Sequence, residues 1–406
     1  MRLVLISLDG LWEGDFSTLE SLPNIGGLIR DGVSCKKVQT VYPALTYPVH
    51  ATILTGCPPA MHGISHNQPF APDLHPDMRP WYWDATQVKR PTLHQLIREK
   101  GGKTASILWP VTGKNPYIRW NFPEVLALPG ENQTLKMLQY GSPVWILKTE
   151  FLYGRRRKSV HQPDLDDYAA LLAQKLLIIR RPPDFLSLHL VDCDEMRHHF
   201  GADSQEARAA IRRLDERVGR ILYGLDRRGI LRDTAVALVS DHGLWDVDRT
   251  VSLEEAFAQA GLSDICRVQS TGMGAFLFVS RDRAENKGLL EGFLEANRER
   301  LGISRIYGEE ELRLMGAGTE VHLAVEAAPG VAFEDTLPKE KRERATHGFG
   351  PDHPAAQCLF ILTGPGIKKG AALPAARMED IAPTLAKVMG HKMPSAKGRI
   401  LEECFR

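Results

Sequence analysis

The sequence predicts an α/β fold built around a mostly parallel sheet. Short apolar segments that are typical of buried strands alternate along the chain with amphipathic segments of helical periodicity. Three of the apolar segments are followed within a few residues by an acid, at Asp9, Asp194 and Asp241. Because open parallel sheets place ligand-binding groups at the carboxyl ends of their strands, we expect these acids to lie along one edge of the sheet.

Composition limits the partners that the protein could bind. The 406 residues are enough for one large α/β domain with insertions, and we treat 1–406 as one such domain. The 51 Lys and Arg nearly balance the 50 Asp and Glu, so a net charge of +1 provides no overall field for nucleic acid or an anionic membrane. The basic cluster from Arg155 to Lys158 is typical of a solvated loop. We therefore expect no nucleic-acid-binding surface and no membrane partner, and the sequence predicts no oligomeric state.

The cysteines and the apolar segments indicate a cellular location. Six cysteines lie far apart without a Cys-x-x-Cys pair, which is typical of thiols in a reducing compartment. The apolar run at 2–8 is shorter than the core of an export signal and ends in an acid, so we interpret it as a buried strand. No later segment reaches membrane-spanning length. We expect a cytoplasmic protein.

The first third of the chain predicts a threonine at the amino end of a helix. After a helix over 21–30 and a strand over 33–40, Pro43 and Pro48 bracket Thr46. The residue before a proline favours an extended backbone, so we expect Thr46 in a turn ahead of a helix that begins near Pro48. The unpaired amides and the dipole of such a helix favour an anion such as phosphate. Taken alone, Thr46 would be interpreted as a simple helix cap.

Residues 68–165 differ in amino-acid composition from the rest of the sequence. They are rich in proline and aromatic residues, and a helix over 92–100 and a strand over 103–108 interrupt them. We interpret the segment as a lid insertion folded over the site. Its aromatic side chains could stack on a base or a sugar, although local packing is the commoner role of such residues.

The segment after the strand predicted over 182–191 has the composition of a metal site. Three acids and two histidines lie between Asp192 and His199, which suits a cation such as Zn²⁺. Asp194 and His198 are four residues apart, so one helical turn would direct both towards one point. The alternative interpretation is a charged helix N-terminus with solvated histidines.

The second half of the chain predicts one more catalytic segment and one insertion. A strand over 234–239 ends at the sequence Ser-Asp-His-Gly, which contains Asp241 and His242. Residues 252–338 are interpreted as a small α+β insertion without catalytic residues. The core resumes at His347 and ends with a strand over 358–363 and a helix over 378–389.

Taken together, these segments resemble the nucleotide pyrophosphatase/phosphodiesterase branch of the alkaline phosphatase superfamily. The run from Thr46 to His50 matches the Thr-Phe-Pro-Asn-His motif of that branch. Asp194, His198 and Gly201 match Pro-Asp-x-x-Gly-His-x-x-Gly at the same offsets, and Ser-Asp-His-Gly is intact. The matching residues in chain order are Asp9, Thr46, Asn67, Asp194, His198, Asp241, His242 and His347, and the departures are Val49, Cys193, Arg197 and Leu244.

The resemblance implies a three-layer αβα alkaline-phosphatase-like core and a metal-dependent hydrolase of phosphodiester or pyrophosphate bonds in nucleotide-like substrates. It implies two divalent ions, of which Zn²⁺ is the first expectation, while Mn²⁺ or Fe suits the same ligands. Thr46 would be the nucleophile and form a phosphothreonine intermediate, and Asn67 with the Tyr47 amide would bind a phosphoryl oxygen. The implied ligands are Asp9, Thr46, Asp241 and His242 for one ion, and Asp194, His198 and His347 for the other.

Several alternatives remain open at this point. Asp192 rivals Asp194 as a ligand, although the offsets to His198 and Gly201 favour Asp194. A phosphomonoesterase or a phosphonate hydrolase could use the same scaffold, whereas the Cys/Ser-x-Pro-x-Arg context of sulfatases is absent around Thr46. A metal-binding protein without turnover is the alternative from another functional class.

Overall fold

The computed structural model describes residues 1–280, 283–335 and 343–406. Of the insertion predicted at 252–338, residues 281–282 and 336–338 therefore lie outside the described residues. The described strands are β1 (Arg2–Leu8), β2 (Val33–Gln39), β3 (Thr104–Ile107), β4 (Trp120–Phe122), β5 (Phe185–Leu190), β6 (Thr234–Val239), β7 (Trp245–Val251), β8 (Cys266–Ser270), β9 (Gly274–Val279), β10 (Ile303–Tyr307), β11 (Leu323–Ala327), β12 (Gly330–Phe333), β13 (Ala345–Thr346), β14 (Gln357–Thr363), β15 (Ala371–Ala372) and β16 (Ala376–Arg377).

The α-helices connect these strands. None of the described helices combines the length and the apolarity needed to cross a bilayer. They are α1 (Phe16–Ser21), α2 (Pro23–Asp31), α3 (Thr46–Thr55), α4 (Pro59–His62), α5 (Leu93–Glu99), α6 (Gln133–Tyr140), α7 (Pro143–Tyr153), α8 (Asp164–Leu177), α9 (Asp192–Phe200), α10 (Gln205–Arg227), α11 (Leu253–Gln259), α12 (Arg283–Ala296), α13 (Arg298–Leu301), α14 (Glu309–Met315) and α15 (Ile381–Val388).

The central sheet confirms the predicted fold class. Its strand order is β15-β2-β14-β6-β1-β5-β3-β4, and β16 also pairs with β2. β1 pairs in parallel with both β5 and β6, and β3 continues the parallel set from β5 to β4. β14 is antiparallel to both of its neighbours, β2 and β6. The three strands that precede the predicted acids are therefore adjacent, with β1 in the middle.

Alternating side chains of β1 divide the core into two layers. Val4, Ile6 and Leu8 pack against apolar residues of α2, α8 and α10. Leu3 and Leu5 pack on the opposite face against residues of α3, α5 and α15. Successive side chains of a strand point to opposite faces, so a strand that is apolar throughout needs a helical layer on each side. These layers and the sheet form the αβα sandwich.

The two predicted insertions are tied to this core in different ways. Within 68–165, β3 and β4 join the edge of the central sheet, so this part of the predicted lid belongs to the core. Within 252–338, the antiparallel sheet β10-β11-β9-β8 encloses its own apolar cluster. A third sheet, β12-β7-β13, joins that unit to the segment that carries His347.

Candidate active site

Three buried carboxylates lie at the carboxyl ends of adjacent parallel strands. Asp9 follows β1, Asp241 follows β6, and Asp194 lies in the first turn of α9 after β5. Ligand atoms of Asp9, Asp241 and His242 lie within 4.8 Å of one another, as do those of Asp194, His242 and His347. His242 is thus common to both sets.

Gly10 allows the chain after β1 to lie close to the start of α9. A Cβ built on Gly10 would lie 2.9 Å from Asp194 Cα, and the φ of +78° is one that side chains rarely adopt. The Gly10 amide also donates to Asp241 Oδ1 at 3.3 Å. The glycine therefore lets the chain after β1 lie directly against the first turn of α9.

Thr46 is the first residue of α3, two residues earlier than the sequence predicts. Its Oγ1 lies 3.2 Å from His242 Nε2, which places the hydroxyl beside the carboxylate cluster. The ring of His50 bonds the Thr46 carbonyl through Nδ1 at 2.7 Å and the Ser7 hydroxyl through Nε2 at 2.9 Å. His50, one helical turn after Thr46, thereby joins the start of α3 to β1.

A contact with the backbone next to Thr46, the candidate nucleophile, holds Asn67 in place. The Tyr47 amide donates to Asn67 Oδ1 at 2.9 Å. The resemblance implies a phosphoryl oxygen as the partner of this amide, but in the structure the amide donates to Asn67. The two amide protons of Asn67 are then the donors that remain for a ligand.

Two further histidines complete the cluster. His198 Nε2 lies 3.4 Å from Asp194 Oδ2, and the His347 ring stacks on His242 with centroids 3.8 Å apart. His347 Nδ1 lies 3.1 Å from the Ala44 carbonyl. All seven predicted ligands, Asp9, Thr46, Asp194, His198, Asp241, His242 and His347, thus lie in one continuous group.

Burial and mutual repulsion perturb the titration of this group. Burial, reinforced by the charge of Asp194, raises the pKa of Asp9 to about 6. Burial and the charge of Asp9 likewise raise the pKa of Asp241 well above its usual value. Burial, together with His198, lowers the pKa of His347 to about 4, so its imidazole is neutral at pH 7. The Asp9 and Asp241 carboxyls thus resist ionisation, whereas the charge of His198 lowers the pKa of Asp194 in spite of its burial.

The unpaired atoms of the cluster fit divalent cations. Among the described residues, Asp9 Oδ1, Asp194 Oδ1, Asp241 Oδ2 and His242 Nδ1 are buried without a hydrogen-bond partner. Buried polar atoms are normally satisfied, so unpaired atoms on these clustered residues call for a ligand. Carboxylate oxygens and imidazole nitrogens are suitable ligands for Zn²⁺. The residues present therefore fit the ions that the resemblance implies.

Asp192, the rival of Asp194, is engaged by arginines instead. Arg213 binds both of its oxygens at 2.7 Å, and Arg217 Nη1 lies 2.6 Å from Oδ2. The fully buried Arg217 also lies 3.6 Å from buried Asp166. This network fixes the start of α9 and leaves Asp194 as the acid that faces the cluster.

We expect Arg217→Met to reduce stability much more than turnover. The substitution leaves Asp166 and Asp192 buried without the cation of Arg217, which lowers the free energy of unfolding by about 3–5 kcal/mol. Urea unfolding measures this cost, and kcat of the folded variant should stay within a few-fold of the wild type. Arg220→Met is the control and should cost less than about 1 kcal/mol, because Arg220 and its partner Asp167, 3.4 Å away, form a partly exposed surface pair. Lost turnover with unchanged stability would show instead that the arginine network serves the reaction.

His189 and Glu124 are site residues that the sequence analysis did not identify. His189 Nε2 lies 2.9 Å from Asp9 Oδ2, and its Nδ1 lies 3.0 Å from Glu124 Oε2. Glu124 also accepts the Tyr47 hydroxyl at 3.0 Å. This chain of contacts fixes the Asp9 carboxylate and the residue next to Thr46. The available signal was a histidine inside the buried strand β5, since a buried imidazole needs partners.

A third set of ligand atoms, from His50, His189 and Asp241, is closed to a metal. These atoms also lie within 4.8 Å of one another. Both nitrogens of His50 and both of His189 already have hydrogen-bond partners. This set orients the neighbouring residues and is not a further cation site.

Arg197, which replaces a glycine of the family motif, also supports the site. Its side chain is buried and bonds Asp15 at 2.6 and 3.0 Å, and Nη1 also donates to the Gly10 carbonyl. The departure from the motif thus ties α9 to the turn after Asp9.

Glu326 anchors the loop that carries His347. Both of its oxygens accept the Gly350 amide, at 2.7 and 2.8 Å. The loop is tightly constrained, since a Cβ on Gly348 would lie 1.5 Å from the Thr271 carbonyl oxygen. Burial raises the pKa of Glu326 from 4.5 to about 7.

We expect this carboxyl to make the protein less stable as the pH rises. Because its pKa is raised in the folded state, its favourable contribution is complete below pH 4.5 and is lost as the pH passes through about 7. The loss is up to about 3 kcal/mol. Glu326→Gln does not titrate, so the variant should gain stability relative to the wild type between pH 5 and pH 8 in urea unfolding. A difference between the two proteins that is independent of pH would contradict the assignment.

Comparison with known proteins agrees with the geometry. The sequence profile of the family described as type I phosphodiesterase / nucleotide pyrophosphatase matches residues 3–305. Venom phosphodiesterase of Macrovipera lebetinus is 28% identical over 389 residues, which cover 90% of this chain and 40% of the venom protein. Human ectonucleotide pyrophosphatase/phosphodiesterase family member 1 is 27% identical over 256 residues, which cover 59% of this chain and 23% of the human protein. The chain spans about two fifths of the length of the venom enzymes that it matches.

Solved structures show the same fold. Murine ectonucleotide pyrophosphatase/phosphodiesterase 5 aligns with a TM-score of 0.74 over 100% of both chains at 16% identity. That murine protein is also known as an inactive threonine-to-alanine variant in complex with AMP. Since the family profile covers most of the sequence, this chain belongs to the type I phosphodiesterase / nucleotide pyrophosphatase family of the alkaline phosphatase superfamily.

Proposed function

We propose that this protein hydrolyses phosphodiester or pyrophosphate bonds of nucleotide-like substrates, with Thr46 as the nucleophile. The observation that carries the proposal is the Thr46 hydroxyl, at a helix N-terminus and 3.2 Å from His242 in the group of three buried acids and three histidines. A hydroxyl in this position can attack phosphorus, while the amides of the first turn of α3 favour the negative charge of the phosphoryl group.

The reaction would proceed by two displacements. Thr46 Oγ1, after loss of its proton, forms a bond to phosphorus as the bond to the leaving oxygen breaks, which gives a phosphothreonine ester. Water then displaces Thr46 and releases the phosphate product. The amide protons of Asn67 would donate to a non-bridging oxygen in both steps, because Asn67 Oδ1 is held by the Tyr47 amide.

Seven side chains would hold two divalent ions, most suitably Zn²⁺. Asp9, Thr46, Asp241 and His242 would bind one ion, and Asp194, His198 and His347 the other. When bound, such ions lower the pKa of a coordinated hydroxyl and neutralise charge on the attacking and leaving oxygens. His347 suits this role because burial keeps it neutral, which is the state that binds metal.

The surroundings of Thr46 favour diesters over monoesters. Within the described ranges, no arginine or lysine side chain forms a hydrogen bond or ion pair with Thr46, Asn67 or the acid and histidine cluster. A monoester dianion carries one more charge than a diester and would need such a cation. The AMP bound to the murine relative supports a nucleotide as the small-molecule partner.

The thiols support the proposed cytoplasmic location. All six cysteines are buried and free. Burial raises the pKa of the Cys193 and Cys404 thiols to about 12, which keeps them unreactive. Structural thiols of this kind are typical of a reducing compartment.

Steady-state hydrolysis by the Zn²⁺- and Mn²⁺-loaded protein tests the proposal. The substrates are bis-p-nitrophenyl phosphate, thymidine 5′-p-nitrophenyl phosphate and p-nitrophenyl phosphate, with a chelated sample as the control. We expect both diesters to be cleaved faster than the monoester, and the thymidine ester to be preferred. Preference for the monoester would make the protein a phosphatase. If no metal supports turnover, the alternative of a metal-binding protein without activity would replace the proposal.

A further inference from the structure

The helix α7 exposes an apolar face to solvent. Val144, Leu147 and Phe151 occur at spacings of three and four residues and lie on one side of the helix, where they are 82%, 56% and 90% exposed. Leu152 beside them is 51% exposed. The opposite side holds the buried Ile146 and Thr149, which fix the helix to the domain. A helix that is apolar on both sides is expected to contact an apolar environment on each of them.

This exposure is concentrated in one region. α6, which packs against α7, adds Leu135 at 66% exposure. Single exposed apolar residues are ordinary, but a contiguous patch of large side chains on a monomer marks an interaction surface.

A basic cluster directly follows the apolar face. Arg155, Arg156 and Lys158 are exposed just after the helix, and Lys148 is exposed on α7 itself. None of these four forms an ion pair with another described residue, whereas Arg157 is paired with Glu150 at 3.0 Å. The patch therefore combines exposed aromatic and aliphatic side chains with four uncompensated cations.

We propose that this surface, made of Val144, Leu147, Phe151 and Leu152 with the four cations, binds the surface of an anionic lipid bilayer. Apolar side chains of such a helix enter the interface between head groups and acyl chains, and flanking Lys and Arg are attracted by anionic head groups. Attachment of this kind lies in the plane of the interface and does not require a helix that crosses the bilayer. The proposal revises the expectation of no membrane partner, and it is independent of the proposed hydrolysis.

Charge decides between a bilayer and a second copy of the chain. A two-fold dimer places the same patch of both subunits face to face. Four cations would then lie against four cations, and like charges at an interface suppress association. An anionic lipid surface instead complements the cluster.

Co-sedimentation with vesicles tests the proposal. We expect the metal-loaded wild type to bind vesicles of equimolar phosphatidylcholine and phosphatidylglycerol, to ignore phosphatidylcholine alone, and to dissociate at high salt. The triple variant Arg155→Ser, Arg156→Ser, Lys158→Ser should bind about a hundredfold more weakly. Phe151→Ser should weaken binding by roughly tenfold.

A matched control distinguishes binding by this surface from nonspecific hydrophobic binding. Leu314→Ser removes a leucine that is 72% exposed on α14 and should bind like the wild type. Far-UV circular dichroism and thermal unfolding should be equal in all variants, which shows that they are folded. No binding by the wild type, or equal binding to both kinds of vesicle, would overturn the proposal. So would a wild-type dimer in analytical ultracentrifugation that Phe151→Ser converts to a monomer.

Discussion

Replacing Thr46 by alanine is expected to lower kcat/KM for diesters by at least about 10³-fold, since loss of a nucleophile removes a covalent step that no other group supplies. The fold should survive, because the helix α3 that begins at Thr46 is buried along its whole length. Thr46→Ser keeps a hydroxyl at the same position and should retain measurable turnover. Steady-state kinetics of the metal-loaded proteins measure both effects.

The control for this substitution lies in the same helix. Thr55 is also buried, and its hydroxyl donates to the Ala51 carbonyl at 2.7 Å, at the end of α3 remote from the acids. Thr55→Ala should change stability without a comparable loss of turnover. Full activity of Thr46→Ala would refute the assignment of the nucleophile.

Replacing Asp241 by asparagine is expected to have opposite effects on the metal-free and metal-loaded proteins. Burial and the charge of Asp9 raise the pKa of Asp241, so its ionised form destabilises the metal-free fold at neutral pH. Asparagine removes that penalty and can still accept the Gly10 amide. In the presence of Zn²⁺ the variant lacks a ligand and should lose turnover and the stabilisation by metal.

Thermal unfolding with and without Zn²⁺ measures both effects. A ligand at a hundred times its Kd contributes about 2.7 kcal/mol, which corresponds to a rise in Tm of roughly 3 °C for a protein of this length. We expect this rise in the wild type but not in Asp241→Asn, whose metal-free Tm should exceed that of the metal-free wild type. Asp380→Asn is the control, because buried Asp380 accepts the backbone amides of Arg377 and Arg399 and is not one of the predicted ligands. This control should lower the Tm in both states and keep the rise caused by Zn²⁺.

The acids of the site could be predicted because their signal is local. Asp9 and Asp241 each follow a short apolar strand, and the topology of a parallel sheet then determines the edge on which they lie. Asp194 and His198 are four residues apart, and on a helix this spacing places both side chains on the same face. These parts of the prediction needed no knowledge of distant contacts.

The supporting residues could not be predicted because their partners are distant in sequence. His189 meets Asp9, which is 180 positions away, and Glu326 meets Gly350 across the junction with the small subdomain. The offsets to His198 and Gly201 already favoured Asp194 over Asp192, but the engagement of Asp192 by Arg213 and Arg217 depends on the packing of α10 on α9, which the sequence does not show.

The segment 68–165 was harder to interpret for a related reason. β3 and β4 are short, and the pairing of β3 with β5 and of β4 with β3 is not visible in an irregular, proline-rich sequence. The apolar sequence of α7 is equally typical of a core helix, so only the structure could show that Phe151 is exposed.

Mass spectrometry of an acid-quenched reaction tests the central claim most directly. The Zn²⁺-loaded protein is mixed with thymidine 5′-p-nitrophenyl phosphate, quenched within one turnover and digested. We predict one thymidylyl group esterified to Thr46, which is absent from Thr46→Ala. A label on another residue, or full turnover with no covalent label and inverted configuration at phosphorus, would contradict the account.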